Sequence, residues 1–279
     1  MVPAPARGNA GRHRAMTRQQ TNETTLRRLE LIALEGIPLV QPGDDLAALI
    51  LAAIERAKLA LADRDVIVVA QKIVSKSEGR RVKLSSVEPS ARARELAPQL
   101  AKDARLVEIV LRESREVLRV RSGVIVVEDI RGLVLANAGV DASNVNEDGG
   151  EDSVLLLPAD PDASAARLRA DLSARTSRDI GIVINDSIGR AWRNGTIGTA
   201  IGVSGLPGLL DLRGAPDLFG RVLRTTDLGL ADEIAAAASL LMGQAGEGCP
   251  AVLVRGVPYA RREGNAAELL RPKAMDFFR

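Results

Sequence analysis

The stretch IGIVINDS, residues 180–187, places an apolar, β-branched run directly before an asparagine, an aspartate and a serine. The run predicts a buried strand. Ligands collect at the carboxyl ends of strands in open α/β sheets, so Asp186 and Ser187 are candidate site residues. A carboxylate beside a hydroxyl, with Arg190 and Arg193 following, can hold Mg²⁺ and neutralise phosphate. A polar strand end with solvated arginines fits the same residues equally well.

The segments on either side of this strand predict a chain that mixes helices and strands. Strands are expected in residues 65–74, 116–120, 123–129, 132–139, 154–158 and 251–256. Helices are expected in residues 44–61, 89–114 with a break at Pro98, 160–176 and 227–243. The Gly-rich range 194–221 is expected to be broken. Hairpin-like and helix-separated connections occur together, so we expect the α+β class, with mixed sheets, flanking helices and two lobes.

The composition narrows the kinds of partner. Of the 279 residues, 46% are hydrophobic and 27% charged, as in an ordinary soluble protein, but only 2% are aromatic. So few aromatic residues argue against base stacking as the main activity, and a net charge of +2 does not indicate a general nucleic-acid binder. No run approaches the roughly 18 apolar residues of a spanning helix. We therefore expect a cytoplasmic protein without nucleic-acid or membrane partners.

The single Cys249 and the single His13 limit the catalytic groups. One cysteine excludes an intrachain disulfide and fits a reducing cytoplasm. His13 lies in the range 1–28, which we expect to be a disordered extension, so the folded region has no imidazole for general-base work or metal ligation. A metal must then be held by oxygen atoms, which favours Mg²⁺, Mn²⁺ or Ca²⁺ over zinc.

Two further segments carry charged or oxygen-bearing groups at chain turns. Asp141 and Asn144 follow the turn-prone NAG and can curl two oxygens onto one hard cation, although their spacing also suits an Asx-turn or a helix cap. Lys72 and Lys76 follow a predicted strand and can reach phosphate oxygens, but they also fit solvated surface lysines. No P-loop motif is present, so a nucleotide would have to be bound by some other fold.

The loop MGQAGEG, residues 242–248, follows a predicted helix. Its Gln244 and Glu247 supply oxygens and its glycines allow close backbone approach, although a simple C-cap loop accounts for the same residues. Cys249 precedes Pro250 with no base nearby in the sequence, so we interpret this thiol as structural.

Taken in order, these segments resemble the coenzyme F-420-0:L-glutamate ligase family, which makes the γ-glutamyl tail of the deazaflavin coenzyme F-420. The resemblance spans about residues 29–275 and rests on six ordered motifs: GIPLVQPGDDLA, DVIVVAQKIVSKSEGR, NAGVDASNV, VINDSIGRAWRNGTIGTAIGVSG, ADEIAAAASLLMG and LLRP. The chain is similar to the stand-alone form, which lacks a fused flavin-reductase-like domain. The family often has Thr where this chain has Ser187, and a hydroxyl is kept.

The resemblance implies a GTP-dependent ligase that works as an intertwined homodimer, with residues 29–279 as the catalytic region. It would join coenzyme F-420-0 to L-glutamate, and then add further γ-linked glutamates, through an acyl phosphate. Two divalent ions, Mg²⁺ or Mn²⁺, are the implied cofactors, with K⁺ as a further candidate. The alternatives are another metal-dependent, carboxylate-activating ligase and a non-enzymatic GTP-sensing module.

The resemblance also implies roles for individual residues. Asp141 and Asp186 would hold one metal, and Ser187 and Gln244 the second. The expected GTP contacts are Ile37, Pro38, Leu39, Val40, Gln71, Lys76, Asn144, Met242, Gly243, Gln244, Ala245, Gly246, Glu247, Gly248 and Cys249. Apart from the resemblance, the reaction requires that phosphate charge be neutralised, and the residues we expect to do this are Lys76, Arg190 and Arg193.

Overall fold

The structure is a computed structural model that describes residues 28–141 and 152–276. Its strands are β1 (Glu30–Ala33), β2 (Val66–Ala70), β3 (Arg81–Lys83), β4 (Ser114–Arg121), β5 (Val124–Asp129), β6 (Val134–Ala136), β7 (Ser153–Leu155), β8 (Gly181–Arg190), β9 (Arg193–Ser204), β10 (Leu210–Asp211), β11 (Asp227–Leu228) and β12 (Ala251–Arg255). Its α-helices are α1 (Leu46–Arg56), α2 (Gln71–Ser77), α3 (Ala91–Leu100), α4 (Ala104–Arg112), α5 (Pro161–Thr176) and α6 (Leu230–Met242). The predicted mixture of helices with mixed sheets is confirmed. The two lobes and the division at residue 28 stay predictions.

A five-stranded sheet organises the main core, in the order β1-β12-β2-β8-β9. The central pair, β2 and β8, is parallel, and the other neighbours are antiparallel. The parallel pairing runs from Val66 opposite Gly181 to Ala70 opposite Asn185. Both strands of this pair are therefore central, which explains why their sequences read as continuous apolar runs rather than as alternating ones.

The two faces of this sheet bury alternate side chains under different helices. Ile67 and Ile182 belong to one apolar cluster, which also holds buried residues of α1 and α5. Val68 and Val183 face the other way, into a cluster with buried residues of α6. Because side chains alternate along a strand, both faces of the pair are buried, and each buried aliphatic side chain contributes roughly 1.5–3 kcal/mol.

The Gly-rich range was expected to be broken from residue 194, but β9 runs unbroken from Arg193 to Ser204. Its glycines let helices approach closely instead of making turns. A Cβ on Gly198 would lie 2.1 Å from Ser239 Oγ of α6, and a Cβ on Gly202 would lie 2.5 Å from the carbonyl oxygen of Pro161 of α5. For residues 194–204 the prediction was wrong, because close packing, rather than turn formation, requires Gly198 and Gly202. Residues 205–221 contain only the two-residue strand β10 and are broken as predicted.

Two predicted strand ends also differ from the structure. The strand expected over residues 65–74 ends at Ala70, where α2 begins. The strand expected to end at Asp186 continues to Arg190, because β9 pairs with it throughout. Asp186 is thus the first residue of β8 beyond the parallel pairing with β2 rather than the end of a strand.

The predicted helices are present with shifted ends. In the range 89–114 the break follows Ala101, which has φ +51°, and Pro98 lies inside α3. α5 begins at Pro161 with Asp160 as its N-cap, and α6 ends at Met242 with Gly243 as its C-cap, both as predicted. α1 is shorter than predicted and ends at Arg56. No helix among residues 28–141 and 152–276 is long and apolar enough to span a membrane.

A smaller layer holds β4, β5 and β6 in an antiparallel sheet, whose own apolar cluster includes α3 and α4. An ion cluster, formed by Arg80, Glu113, Asp129 and Arg131, ties this layer to the segment after β7. Glu113 accepts from Arg131 Nη2 at 2.8 Å and from Arg80 Nη2 at 3.1 Å, and Asp129 accepts from Arg131 Nη1 at 2.9 Å. Arg80 Nε also donates to the carbonyl of Leu157 at 2.9 Å. We call this group the Arg80–Arg131 cluster.

Candidate active site

A cavity of about 530 Å³ opens where the parallel pairing of β2 and β8 ends. This is the position at which open α/β sheets place their ligands, and the volume suits a small-molecule ligand. The residues that line it are Ile37, Pro38, Leu39, Val40, Ala70, Gln71, Lys72, Ile73, Lys76, Asp141, Asn185, Asp186, Ser187, Met242, Gly243, Gln244, Ala245, Gly246, Glu247, Gly248, Cys249 and Pro250.

Helix α2 brings two lysines to the cavity. Lys72 and Lys76 are four residues apart, so they lie on the same side of the helix. Lys76 lines the cavity and is only 9% exposed, so its side chain is largely shielded from open solvent. Gln71 is also buried, and Ser75 Oγ donates to its Oε1 at 3.0 Å. The cavity therefore has one wall with concentrated positive charge.

Asp141 lies opposite these lysines and is held by its backbone. Its N–H donates to the carbonyl of Leu155 at 3.0 Å, and the N–H of Leu155 donates back at 2.8 Å. The preceding residues 137–139 all have left-handed φ values of 52°, 53° and 69°. A Cβ on Gly139 would lie 2.7 Å from Leu157, so only glycine fits there. Lys72 Nζ lies 2.7 Å from Asp141 Oδ2.

Asp186 faces the same side of β8 as these charges. The pKa of Asp186 is raised to about 7, mainly by burial; the nearby Asp141 carboxylate acts in the same direction, while the Ser187 N–H and the Lys72 ammonium oppose the shift. The Ser187 N–H donates to Asp186 Oδ1 at 2.9 Å. Two carboxylates that share one region without full compensation create a place where a bound cation would be stabilised.

The opposite rim of the cavity is apolar. Residues 37–40, the sequence IPLV, line it, and Leu39 is 69% exposed although it is a large hydrophobic residue. A cavity with one apolar rim and one charged wall can take a ligand that has a flat, apolar part and an anionic part.

The loop after α6 closes the remaining side. Gly243 ends the helix with φ +71°, and the Glu247 carboxylate folds back to accept from the Ala245 N–H at 2.8 Å. The backbone N–H groups of Glu247 itself, of Ala245 and of Gln244 hold the pKa of this carboxyl below its ordinary value. Cys249 is buried, and this burial raises the pKa of its thiol, which agrees with the structural role predicted for it.

Most of the predicted site residues lie together on this cavity. The exceptions are three. Arg190 and Arg193 do not line it but lie on the exposed outer part of the β8–β9 hairpin, where Arg190 Nη2 donates to the Asn194 carbonyl at 3.3 Å. Their sequence proximity to Asp186 suggested that they reach the site, but β8 continues beyond Asp186 and places both arginines away from the cavity. Asn144 and the rest of residues 142–151 lie outside the described residues.

Four residues that line the cavity were not assigned a role from the sequence: Ala70, Ile73, Asn185 and Pro250. Lys72 was a candidate phosphate ligand only. Asn185 was hidden inside the strand pattern, because the alternation of β8 turns its side chain to the face opposite Asp186. The polar residue at an otherwise apolar strand position is the signal that could have found it.

The donor set of the cavity fits a hard cation. Asp141, Asp186, Ser187 and Gln244 supply only oxygen ligands, which Mg²⁺ and Mn²⁺ accept. The Lys72 ammonium, 2.7 Å from Asp141, already places one positive charge against these carboxylates. Burial raises the pKa of Asp186, so this carboxylate binds a proton more readily than an exposed one.

Comparison with known proteins shows the family of this chain. The sequence profile of the F420-0:Gamma-glutamyl ligase family matches residues 36–256. Coenzyme F420:L-glutamate ligase of Methanothermobacter thermautotrophicus is 47% identical over 253 residues, which cover 90% of this chain and 99% of that protein. The proteins of the same name from Archaeoglobus fulgidus and Methanococcus maripaludis (strain C7) are 44% and 43% identical, and cover 90% of this chain and 97% and 98% of their own lengths. The chain therefore belongs to the F420-0:gamma-glutamyl ligase family.

Proposed function

We propose that this ligase uses GTP to join L-glutamate to the deazaflavin precursor coenzyme F420-0, with further γ-linked glutamates added in later turnovers. The observation that carries the proposal is the convergence of five separate segments on one cavity with an apolar rim and a charged wall. The family match and the names of the related proteins support the reaction class and the amino-acid substrate.

The reaction needs an activated carboxylate, since a free carboxylate is a poor electrophile. In the proposed sequence the terminal carboxylate of the precursor attacks the γ-phosphorus of GTP, which gives an acyl phosphate and releases GDP. The α-amine of glutamate then attacks the acyl carbon, an amide bond forms, inorganic phosphate leaves, and the amine gives up a proton. No protein nucleophile is required, so the buried Cys249 has no part in it.

The residues on the charged wall have distinct tasks. The ammonium groups of Lys72 and Lys76 neutralise the triphosphate, and the rim of residues 37–40 binds the base and ribose. Asp141 and Asp186 would hold one divalent ion, and Ser187 and Gln244 a second, with Mg²⁺ or Mn²⁺ as the ions and K⁺ as a further candidate. Such ions, when bound, supply charge stabilisation on the transferred phosphoryl group.

We further propose that the chain works as a homodimer. Residues 189–196 of the β8–β9 hairpin are exposed, and Trp192 at its tip is 87% exposed. Leu218 and Phe219, at the end of another loop, are 99% and 94% exposed. Two-stranded ribbons are marginal alone, and exposed large apolar groups mark interaction surfaces, so a second copy is the expected cover.

The test is direct. The protein is incubated with coenzyme F420-0, L-glutamate, GTP and Mn²⁺, and mass spectrometry looks for products that carry one or more added glutamyl units. Parallel reactions replace GTP by ATP or omit the metal. No adduct with the authentic substrate would contradict the proposal. Hydrolysis of GTP with another acid would favour a different carboxylate-activating ligase, and binding of GTP without turnover would favour a sensing module.

A further inference from the structure

Asn185 is a buried amide at the base of the cavity. Its residue is 6% exposed, and it stands opposite Ala70 at the last position of the parallel pairing. Its Nδ2 donates to Ser239 Oγ at 2.9 Å and lies 3.3 Å from Met242 Sδ, both on α6. The amide nitrogen therefore fixes strand β8 against the helix end from which the loop of residues 243–248 starts.

The other end of this amide has no protein partner. Among the residues that the structure describes, none donates a hydrogen bond to Asn185 Oδ1, although that atom is buried. A buried acceptor without a donor loses its hydration and gains nothing in return, so it destabilises the protein unless something else satisfies it. Leucine, of nearly the same shape, would fill an apolar strand position without this loss. The amide oxygen thus points to a ligand of the cavity.

The strand geometry identifies the neighbours of that ligand. Side chains two apart on a strand share a face, so Asn185 and Ser187 both face α6, whereas Asp186 faces Asp141 and Lys72. Met242, one of the two residues that contact the Asn185 amide, is two positions before Gln244 in the sequence. Asn185 thus lines the same cavity as Ser187 and Gln244, the two oxygen-bearing residues to which the proposed function gives the second cation.

We propose that Asn185 positions this second cation, with its Oδ1 accepting a hydrogen bond from a water molecule on the ion. The inference rests on the proposed function, since it takes the second cation from there. Mg²⁺ and Mn²⁺ keep several water ligands in protein sites, and these waters are strong donors. Groups that hold such outer ligands commonly change metal affinity by about 10–100-fold when removed. Because Oδ1 is enclosed, binding also shifts Met242 or the loop that begins at Gly243.

The experiment measures Mn²⁺ binding by electron paramagnetic resonance, in the presence of GDP, which permits no turnover. It compares the wild type with Ser239→Ala and with the double variant Asn185→Leu/Ser239→Ala. The double variant removes both ends of the amide–hydroxyl bond, so it leaves no new unpaired group. Ser239→Ala is the matched control, because it removes the partner of Nδ2 and keeps Oδ1. Melting temperatures of the metal-free proteins are recorded beside the titrations.

We expect two Mn²⁺ per chain in the wild type and in Ser239→Ala. In the double variant one ion binds about 10–100-fold more weakly, the other is unchanged, and the metal-free melting temperature is equal or higher. Wild-type affinity for both ions in the double variant overturns the inference and leaves the proposed function intact. If the melting temperature falls and both ions bind more weakly to the same extent, Asn185 only stabilises the fold, and this result also overturns the inference. Fewer than two ions in the wild type overturns the two-metal proposal together with the inference.

Discussion

The cavity and the Arg80–Arg131 cluster both contain charged side chains in partly or fully buried surroundings. They differ in how far these charges are satisfied by partners within the protein. In the cluster, the two carboxylates and two guanidinium groups pair with one another, and Asp129 also accepts from the N–H groups of Arg131 and Leu133 at 2.9 Å. In the cavity, Asp186 has a pKa raised to about 7, and Asn185 Oδ1 has no described partner.

The paired charges of the cluster stabilise the fold, whereas the incompletely satisfied groups of the cavity are suited to bind a ligand. A buried ion network is stable only when each member is satisfied, as in the Arg80–Arg131 cluster. A site for a cation must instead leave oxygen atoms undersatisfied in its absence, which destabilises the empty protein slightly and stabilises the complex. Substitutions in the two regions should therefore have opposite effects on stability and activity.

The largest expected effect is that of Asp186→Asn. It should lower the rate of glutamyl transfer by about 10³-fold or more, over about 4 kcal/mol in activation free energy, because the cation loses a carboxylate. The free energy of unfolding of the metal-free protein at pH 8 should stay equal or rise. Product formation is followed by mass spectrometry and stability by urea denaturation, with the exposed Asp227→Asn as control. Substantial activity at saturating Mn²⁺ would refute the assignment.

The second expected effect is a loss of stability with little change in activity, the opposite of the effect of Asp186→Asn. Asp129→Asn should lower the free energy of unfolding by about 3 kcal/mol, because it leaves Arg131 partly unpaired in a buried position. Activity per folded molecule should remain close to wild type at low temperature. The matched control is Asp211→Asn, whose solvent-exposed pair with Arg213 should contribute little to stability. Equal loss of stability in both variants would remove the distinction between the two regions.

The third effect is a pH dependence. The folded-state pKa of Asp186 is raised to about 7, so its contribution to the stability of the metal-free protein is full below about pH 4 and is lost as the pH rises through 7. A cation competes with this proton, so Mn²⁺ affinity should rise up to about tenfold per pH unit below pH 7 and level off above it. Calorimetric titrations at pH 6, 7 and 8 measure this. If Mn²⁺ affinity of the Asp186→Asn variant depends on pH with the same slope, the titrating proton belongs to another group.

The smallest effect concerns the hairpin arginines. Arg193→Gln should change the affinity for GTP by less than about threefold, since an exposed charge outside the cavity contributes under about 1 kcal/mol. Lys76→Gln is the comparison, because its ammonium lies in the cavity, and it should weaken GTP binding more than tenfold. Fluorescence titration with a labelled GTP analogue measures both. If both variants lose the same amount of GTP affinity, Arg193 does contact the phosphates, either in another conformation of this chain or from a second chain.

The sequence predicted the parts of the fold that depend on local patterns. Apolar runs identified β2, β8 and β12, and capping residues identified the starts of α5 and the end of α6. The short β1 and β3 were missed, because each is stabilised by distant partners rather than by its own pattern. β9 was misjudged because glycine marks turns far more often than close helix contacts.

The site was predictable only where side chains follow a strand end along the chain. Asp186 and Lys76 could be placed in that way, and the resemblance supplied the segment at residues 37–40. The ion pair of Lys72 with Asp141 joins residues 69 apart in sequence numbering, and no local pattern contains it. The misplacement of Arg190 has the same origin, since only pairing with β9 shows that β8 continues.

The position of β12 has a consequence for synthesis of the protein. This strand, residues 251–255, lies between β1 and β2, so neither has its sheet neighbour on that side until the ribosome has made nearly the whole chain. A nascent chain that already contains α6 would still expose the edge of the apolar strand VIVVA. Such edges pair with other chains, so translation that stalls shortly before residue 251 should yield a species that depends on chaperones and aggregates without them.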